Sequence, residues 1–391
     1  MKYLKILVFN YEYPPIGGGG GVICKDISEE LVNQGHKVTV ITSLYGNLKP
    51  LEIINGVEVI RVRVINREKK DVASLLSMLS YVPSSIKAAN RLLVNNMYDV
   101  INTHFAIPTG PAGQFISSKF NIPNILSIHG GDIYDPSKTL SPHKTPLLKQ
   151  TVKAVMEKAD RVVAQSTDTK KNALGFYNLK RDVDIIPLGI KSNQFQKTDR
   201  SSLNLPEDKI ILSTIGRLVR RKNLPELLEI FSIIRNEIPS RLIVIGNGPE
   251  YPGLMDIAKK LELGNDVHFT GRVDEEKKFQ YLSATDVYVS TAMHEGFGIV
   301  FLEAMECGLP VVCYDKGGQV DFLKDGVTGL LLKLNDKENF KRRLIELLNN
   351  KELIHKIGLE NKSYVKNFYI DSIANKYLSL FEDVIKAKQI N

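Results

Sequence analysis

Two glutamates, Glu295 and Glu303, lie on either side of a glycine-containing turn. The apolar, β-branched run 286–290 predicts a buried strand before the turn, and the run 299–307 predicts a helix after it. A helix that begins at a glycine turn presents free backbone N–H groups, which suit a phosphate. Both carboxylates can accept hydrogen bonds from hydroxyls, so the pattern predicts a site for a nucleotide sugar. The alternative is a surface helix with solvated glutamates.

A second loop with cations follows the predicted strand 209–215. Arg217 and Lys222 lie five positions apart in it. Arginine supplies a planar fork of donors and lysine supplies a point charge, so this pair can bind a pyrophosphate. We expect Arg220 and Arg221, between them, to be solvated. The alternative is a loop that is merely basic.

The start of the chain predicts a strand at 4–9, a glycine loop at 17–21, a helix that ends at Gly35 and a strand at 37–42. Such a unit could bind a dinucleotide and belong to an oxidoreductase. That interpretation requires an acidic residue at the end of the second strand. The strand ends with Thr42-Ser43 instead, which weakens the oxidoreductase interpretation.

Two histidines follow predicted strands. His129 precedes Gly130-Gly131-Asp132 after the strand 124–127, and His104 ends the strand that begins at residue 99. In open parallel sheets, ligands bind outside the carboxyl ends of the strands. We therefore expect a ligand at His129, whereas a structural and a functional role for His104 both stay open.

The composition is that of a globular protein with two domains. The 391 residues are 43% hydrophobic and 25% charged. The longest apolar runs fall short of the roughly 20 residues of a membrane span. The N-terminal run meets Tyr11-Glu12-Tyr13 rather than a small-residue cleavage site, so we interpret it as a strand. Three cysteines without a paired pattern favour a reducing cytoplasm.

The positive charge is concentrated in the first half. Residues 1–188 hold 23 Lys and Arg against 16 Asp and Glu, a net charge of +7 out of +8 for the chain. This excess favours an acidic partner such as anionic lipid or a phosphorylated acceptor, or else serves solubility. The apolar stretch 72–97 follows Arg67, Lys69 and Lys70. We interpret it as a buried connecting helix, with contact to a membrane surface as the alternative.

Five strings of residues resemble those of glycosyltransferase family 4. The most specific is E-G-F-G-I-V-F-L-E-A-M-E-C-G-L-P, which begins at Glu295. The loop that begins at Gly216 resembles the family's G-R-x-x-x-x-K-G loop, with Asn223 in place of the last glycine. The loop at His129 resembles the family's H-G-x-D loop, and Gly246-Asn247-Gly248-Pro249 resembles its G-x-G-P turn. The prolines before the first glycines resemble the family's first loop, which lies against the donor phosphate and the acceptor.

The resemblance implies an α/β protein with the GT-B fold, in which two Rossmann-like, doubly wound parallel-sheet domains face a cleft. It implies an acceptor-side domain at 1–190, joined by a crossing helix at 372–391, and a nucleotide-sugar domain at 191–371. It also implies retaining, metal-independent transfer of a hexose-type sugar to a hydroxyl acceptor. No cofactor or metal is expected.

The resemblance also implies roles for individual residues. His129 and Glu295 are expected to contact the sugar, Arg217 and Lys222 the pyrophosphate, and Glu303 the ribose. The expected catalytic residues are His129, Glu295, Arg217 and Lys222. The expected donor-binding residues are Gly18, Gly19, Asp132, Arg217, Lys222, Gly248, Val273, Glu295, Gly296, Phe297, Gly298, Ile299 and Glu303.

The substrates are less defined than the class. We expect a UDP- or GDP-linked donor, a glycan, lipid-linked or phosphorylated acceptor, no nucleic acid partner, and a cytoplasmic location with optional contact to the inner membrane face. Three alternatives remain: an epimerase of nucleotide sugars, a glycogen-type phosphorylase, and an inactive scaffold of the same fold.

Overall fold

The chain divides into two compact units, which we call the first unit (Met1–Lys191 with Phe368–Asn391) and the second unit (Ser192–Asn367). The computed structural model describes residues 3–67, 73–135, 141–192 and 197–390. Both units are α/β structures built on a parallel sheet. The prediction of two parallel-sheet α/β domains is therefore confirmed.

The sheet of the first unit has eight strands in the described residues, in the order β3-β4-β2-β1-β5-β6-β7-β8. All neighbours are parallel except β3 and β4. The strands are β1 (Lys5–Phe9), β2 (Lys37–Ser43), β3 (Leu51–Ile54), β4 (Val57–Val62), β5 (Val100–His104), β6 (Asn124–Ile128), β7 (Arg161–Ala164) and β8 (Asp184–Ile185).

Helices connect these strands and bury the sheet. They are α1 (Gly19–Asn33), α2 (Leu75–Asn95), α3 (Gly110–Phe120), α4 (Pro146–Lys158) and α5 (Thr167–Tyr177). Strands β1 and β5 are almost fully buried, as expected for central strands of a parallel sheet. Strands β1 and β5 pair in parallel, so their ends lie side by side, where the strand order reverses.

The region 51–62 differs from the sequence prediction. The alternating run 57–64 predicts a single strand. In the structure, the chain forms a hairpin of β3 and β4 instead. Asn55 and Gly56 connect the two strands, and both have positive φ angles, 47° and 81°. An Asn-Gly pair is the strongest short-range signal for such a turn, so the sequence contained the information.

Helix α2 is only partly buried. Tyr81 and Ala89 are buried, but Leu75, Leu76 and Leu79 in its first turns are each more than half exposed. The interpretation as a buried connecting helix therefore holds for one face alone. Lys69, Lys70 and Val72 of that interpretation lie outside the described residues. Among the helices that are described, none combines the length and apolarity needed to cross a membrane.

The sheet of the second unit has six parallel strands in the described residues, in the order β11-β10-β9-β12-β13-β14. The strands are β9 (Ile210–Ile215), β10 (Ser240–Ile245), β11 (Val267–Gly271), β12 (Val287–Ser290), β13 (Val311–Tyr314) and β14 (Gly329–Leu332). The helices are α6 (Leu224–Glu237), α7 (Tyr251–Lys260), α8 (Glu275–Ser283), α9 (Ile299–Glu306), α10 (Lys337–Leu348) and α11 (Lys351–Tyr364). The last helix, α12 (Ile370–Ile390), belongs to the first unit and packs on α1.

The chain builds the second sheet outward from β9 in one direction and from β12 in the other. The strand order therefore reverses between these two neighbours. In doubly wound sheets, a crevice for ligands forms at such a reversal, outside the carboxyl ends of the strands. The loops after β9 and β12 are the ones that carry the predicted cations and glutamates.

Candidate active site

Hydrogen bonds join the loop after β9 to the loop after β12. The hydroxyl of Thr291 donates to the carbonyl of Asn223 at 2.8 Å, and the backbone N–H of Met293 donates to the carbonyl of Arg221 at 2.9 Å. Tyr288 on β12 also exchanges hydrogen bonds with the backbone of Ile215 at the end of β9. The two loops therefore form one connected edge in the second unit.

Glu295 lies at the centre of this edge between two cations. Lys222 Nζ contacts Oε1 of Glu295, and Arg221 Nη1 lies 3.0 Å from Oε2. The same Arg221 nitrogen donates to the carbonyl of His294 at 3.1 Å. The prediction that Arg221 is solvated is therefore wrong, because the loop turns its side chain back onto Glu295. Arg220 is exposed, as predicted.

The glutamate is almost completely buried, with 5% of its surface exposed. Burial alone would raise the pKa of Glu295, but the charges of Lys222 and Arg221 outweigh burial and lower this pKa to about 2. Glu295 is therefore ionised at neutral pH. A buried carboxylate of this kind is stable only with its cations in place.

Glycines hold the backbone of Glu295. Gly317, after β13, has a φ of 124°, and a Cβ atom there would lie 2.2 Å from the carbonyl oxygen of Glu295. The next residue, Gly318, donates its N–H to that carbonyl at 2.7 Å. Gly298 has a φ of 89° and precedes α9. A side chain at Gly317 would displace Glu295, so glycine is required there.

Glu303, one turn into α9, has a cation of its own. Lys278 Nζ from α8 lies 2.8 Å from Oε1 of Glu303 and 2.9 Å from Glu275. Burial acts to lower the pKa of Lys278, but these two carboxylates outweigh it and raise the pKa above its ordinary value. The two glutamates of the motif are thus both paired, through different elements.

The remaining predicted residues of the second unit lie in the loops after β9, β10 and β11 and at the start of α9. Arg217 is exposed at the end of β9, and Gly248 packs against the backbone of Leu218, where a Cβ atom would lie 2.3 Å from the carbonyl. Val273 follows β11, the edge strand, so it lies two strands from the reversal.

The turn before α9 carries the last of the predicted residues. The ring of Phe297 is buried 4.9 Å from that of Phe322, so only its backbone suits a ligand. Gly296 and Ile299, on either side of Phe297 and Gly298, are partly exposed.

In the first unit, two histidines lie next to each other at the ends of β5 and β6. His104 Nδ1 lies 3.0 Å from His129 Nε2, and His104 Nε2 lies 3.1 Å from the amide of Asn102. Burial lowers the pKa of His104 well below its ordinary value, with a further contribution from His129. Burial also lowers the pKa of His129 to about 4. Both histidines are therefore neutral at physiological pH.

Asp132 fixes the loop that follows His129. Its Oδ1 accepts from the backbone N–H of His129 at 2.9 Å, and its Oδ2 accepts from that of Ala106 at 2.7 Å. The carboxylate thus ties the loops after β5 and β6 together. This contact explains why an aspartate stands three residues after His129.

The glycine loop of the first unit precedes α1, whose first residue is Gly19. The backbone N–H of Gly18 donates to Oε2 of Glu12 at 2.9 Å. A phosphate was expected near Gly18 and Gly19, and in the structure the carboxylate of Glu12 occupies one of the donors there.

Sequence reasoning missed two members of these clusters. Nothing in the sequence distinguishes Arg221 from Arg220, because both are arginines in one basic loop. Lys278 lies seventeen residues before Glu295 in a charged helix, where a solvated lysine is the ordinary expectation. In the described residues, no three metal-ligating side chains come together.

The comparisons with known proteins agree with this geometry. The family described as "Glycosyl transferases group 1" matches residues 195–364, and the family described as "Glycosyltransferase Family 4" matches residues 17–194. Among curated proteins, the N-acetyl-alpha-D-glucosaminyl L-malate synthase of Bacillus anthracis is 25% identical, over 96% of each chain.

Solved structures show the same fold. Sucrose-phosphate synthase from Thermosynechococcus elongatus has a TM-score of 0.86 and 23% identity, covering 98% of this chain and 100% of the other. Anabaena HepE in complex with UDP-glucose has a TM-score of 0.76 and 19% identity, covering 97% and 100%. The chain therefore belongs to the group 1 glycosyltransferases of family 4, and it is a sugar-transferring enzyme with the GT-B fold.

Proposed function

We propose that this enzyme moves a hexose-type sugar from a nucleotide sugar to a hydroxyl acceptor, with retention of configuration and without a metal ion. The observation that carries the proposal is the cluster of Lys222, Arg221 and Glu295 at the strand reversal of the second unit. It places two cations beside a carboxylate, which matches a ligand with a pyrophosphate and sugar hydroxyls. Retention comes from the family resemblance.

Each residue has a role in this proposal. Lys222 and Arg217 bind the pyrophosphate, whose charge grows as the glycosidic bond breaks, so they stabilise the transition state more than the ground state. Glu295 accepts from a sugar hydroxyl, and Glu303 accepts from the ribose. His129 as a contact of the sugar stays a prediction from the resemblance.

The donor is proposed to be UDP-linked, with GDP as the second choice. HepE, which shares the fold, binds UDP-glucose. The acceptor is proposed to be a small hydroxyl compound or phosphorylated sugar, a glycan or a lipid-linked sugar. The Bacillus anthracis relative is named for a malate product, and the sucrose-phosphate synthase for a phosphorylated one.

Contact with an anionic membrane surface is a further proposal for α2. Leu75, Leu76 and Leu79 are exposed, and the first half of the chain is basic. The wild type should sediment with vesicles that contain anionic lipid, whereas a variant with serine at all three positions should stay in the supernatant. Equal sedimentation of both would contradict this contact.

The proposed function is tested by thermal shift with UDP, GDP, ADP and their common sugars, with and without EDTA. A ligand at a hundred times its Kd adds about 2.7 kcal/mol of stability, which is easily measured. We expect one nucleotide series to stabilise the protein equally with EDTA, and Lys222→Ala to lose this effect. A shift that disappears with EDTA would contradict metal independence. No shift with any nucleotide would contradict the donor site.

A further inference from the structure

We propose that Arg221 is a positioning residue, which keeps Glu295 ionised and in place while Lys222 turns to the donor phosphate. The inference rests on the proposed function, because it takes Lys222 as a ligand of the pyrophosphate and Glu295 as a ligand of the sugar. It concerns a residue that neither the sequence nor the family resemblance singles out.

The two cations are attached to Glu295 in different ways. Arg221 is bound to the glutamate loop at both ends, through its side chain to His294 and Glu295 and through its carbonyl to the N–H of Met293. Lys222 also has a backbone contact with this loop, a longer hydrogen bond of 3.5 Å from the hydroxyl of Thr291 to its carbonyl, but its side chain binds Glu295 through the ammonium alone. Arg221 is therefore the fixed cation, and Lys222 is the one that can turn.

Donor binding changes the charge balance at this edge. The pyrophosphate brings negative charge that competes with Glu295 for the ammonium of Lys222, which can rotate its three donors toward a new anion. Once Lys222 turns away, one of the two cations on the buried carboxylate is gone. A buried carboxylate without a cation takes up a proton, and a protonated oxygen no longer accepts a sugar hydroxyl.

The other groups that face Glu295 cannot replace the missing charge. Tyr288 lies beneath it on β12 and Cys313 on β13, and burial raises the pKa of both well above its ordinary value, so both stay neutral. His294 precedes Glu295 and supplies a carbonyl to Arg221. Arg221 is therefore the residue that holds Glu295 ionised in the donor complex.

The rival explanation is that Arg221 only ties two loops together. Arg221→Gln distinguishes the two roles, since glutamine keeps a donor for the carbonyl of His294 but carries no charge. Arg221→Lys restores a charge. Arg220→Gln is the matched control, because Arg220 is the exposed neighbour in the same loop. Arg221→Met is a second neutral variant if the glutamine variant does not fold.

The experiment measures calorimetric affinities for UDP and UDP-glucose, or for GDP and GDP-mannose if the guanine series stabilises the wild type. The full chain is used from about pH 5 to pH 8, the range in which ordinary carboxyl groups are ionised. We expect Arg221→Gln to bind the free nucleotide like the wild type but to lose about tenfold or more in the affinity for the nucleotide sugar relative to the nucleotide. The loss should grow toward acid pH, and Arg221→Lys should recover most of it.

Two results would overturn the inference. One is an unchanged ratio of the two affinities in Arg221→Gln and Arg221→Met, equal to that of Arg220→Gln. The other is a loss that is the same at every pH and persists in Arg221→Lys, which indicates a structural tie. If the wild type binds neither nucleotide nor nucleotide sugar, the proposed function itself fails, and the inference with it.

Discussion

The strand ends of the two units carry polar groups of different kinds. In the second unit, Glu295 and Glu303 are each bound by lysine or arginine side chains. In the first unit, His104 and His129 form a hydrogen-bonded pair of neutral rings. Buried ions respond strongly to an added charge, whereas a neutral pair orients hydroxyl groups at little cost in desolvation. The difference teaches that the two sites can bind a ligand by different means, through ion pairs at Glu295 and Glu303 and through a neutral pair at His104 and His129.

The largest expected effect comes from removing Lys222, the lysine that contacts Glu295. Lys222→Ala should lower kcat/KM for the donor by about 10²–10³, because a positive charge on the leaving phosphate is lost. Arg220→Ala, at the exposed neighbour, should lower it little. Initial rates of nucleotide release measure both. A loss below about tenfold would contradict the assignment of this edge to the pyrophosphate.

The second effect concerns the backbone that fixes the charged edge. Gly317→Ala should destabilise the protein by at least the roughly 1–3 kcal/mol that this backbone conformation costs an alanine, because the new Cβ would also collide with the carbonyl of Glu295. Gly326→Ala is the matched control, since Gly326 also has a positive φ but no atom within 4 Å of the added Cβ. Urea unfolding compares the two. Equal losses of unfolding free energy would show that the backbone around Glu295 can move to accommodate the added methyl group.

The sequence predicted the backbone of these sites better than their side-chain partners. The strand, turn and helix around Glu295 follow from β-branched residues, glycines and helix formers, which act locally. The partners of Glu295 and Glu303 come from elements 73 and 25 residues away along the chain. Arg221 and Lys278 join the sites only through tertiary packing, and no local pattern separates them from solvated neighbours.

The third effect tests the second glutamate. If Lys278 orients Glu303 toward the ribose, Lys278→Met should reduce the preference for UDP over its 2′- or 3′-deoxy analogues by about tenfold, the contribution of a hydrogen bond to a charged group. Lys277→Met is the control, because Lys277 lies over the ring of Tyr281 instead. Competition binding measures the ratios. An equal preference in both variants would show that Lys278 does not orient Glu303 toward the ribose.

The smallest effect concerns how His129 of the first unit and Glu295 of the second unit change the stability with pH. The pKa of His129 is about 4 in the folded protein, below its ordinary value of about 6.5, so the unfolded chain binds the proton more readily. Stability should therefore fall as the pH falls, by about 1 kcal/mol between pH 6.5 and 5.5 for this histidine. Glu295 acts in a lower window, because its stabilisation is lost as the pH falls from about 4.5 toward its folded pKa of about 2.

Urea unfolding at pH 6.5 and 5.5 isolates the histidine contribution. His129→Asn should unfold more easily at both values yet lose about 1 kcal/mol less than the wild type between them, because the variant has no imidazole to protonate at this position. His355→Asn, at an exposed histidine of the second unit, should keep the wild-type slope. If the slope of His129→Asn equals that of the wild type, His129 is not held neutral by burial.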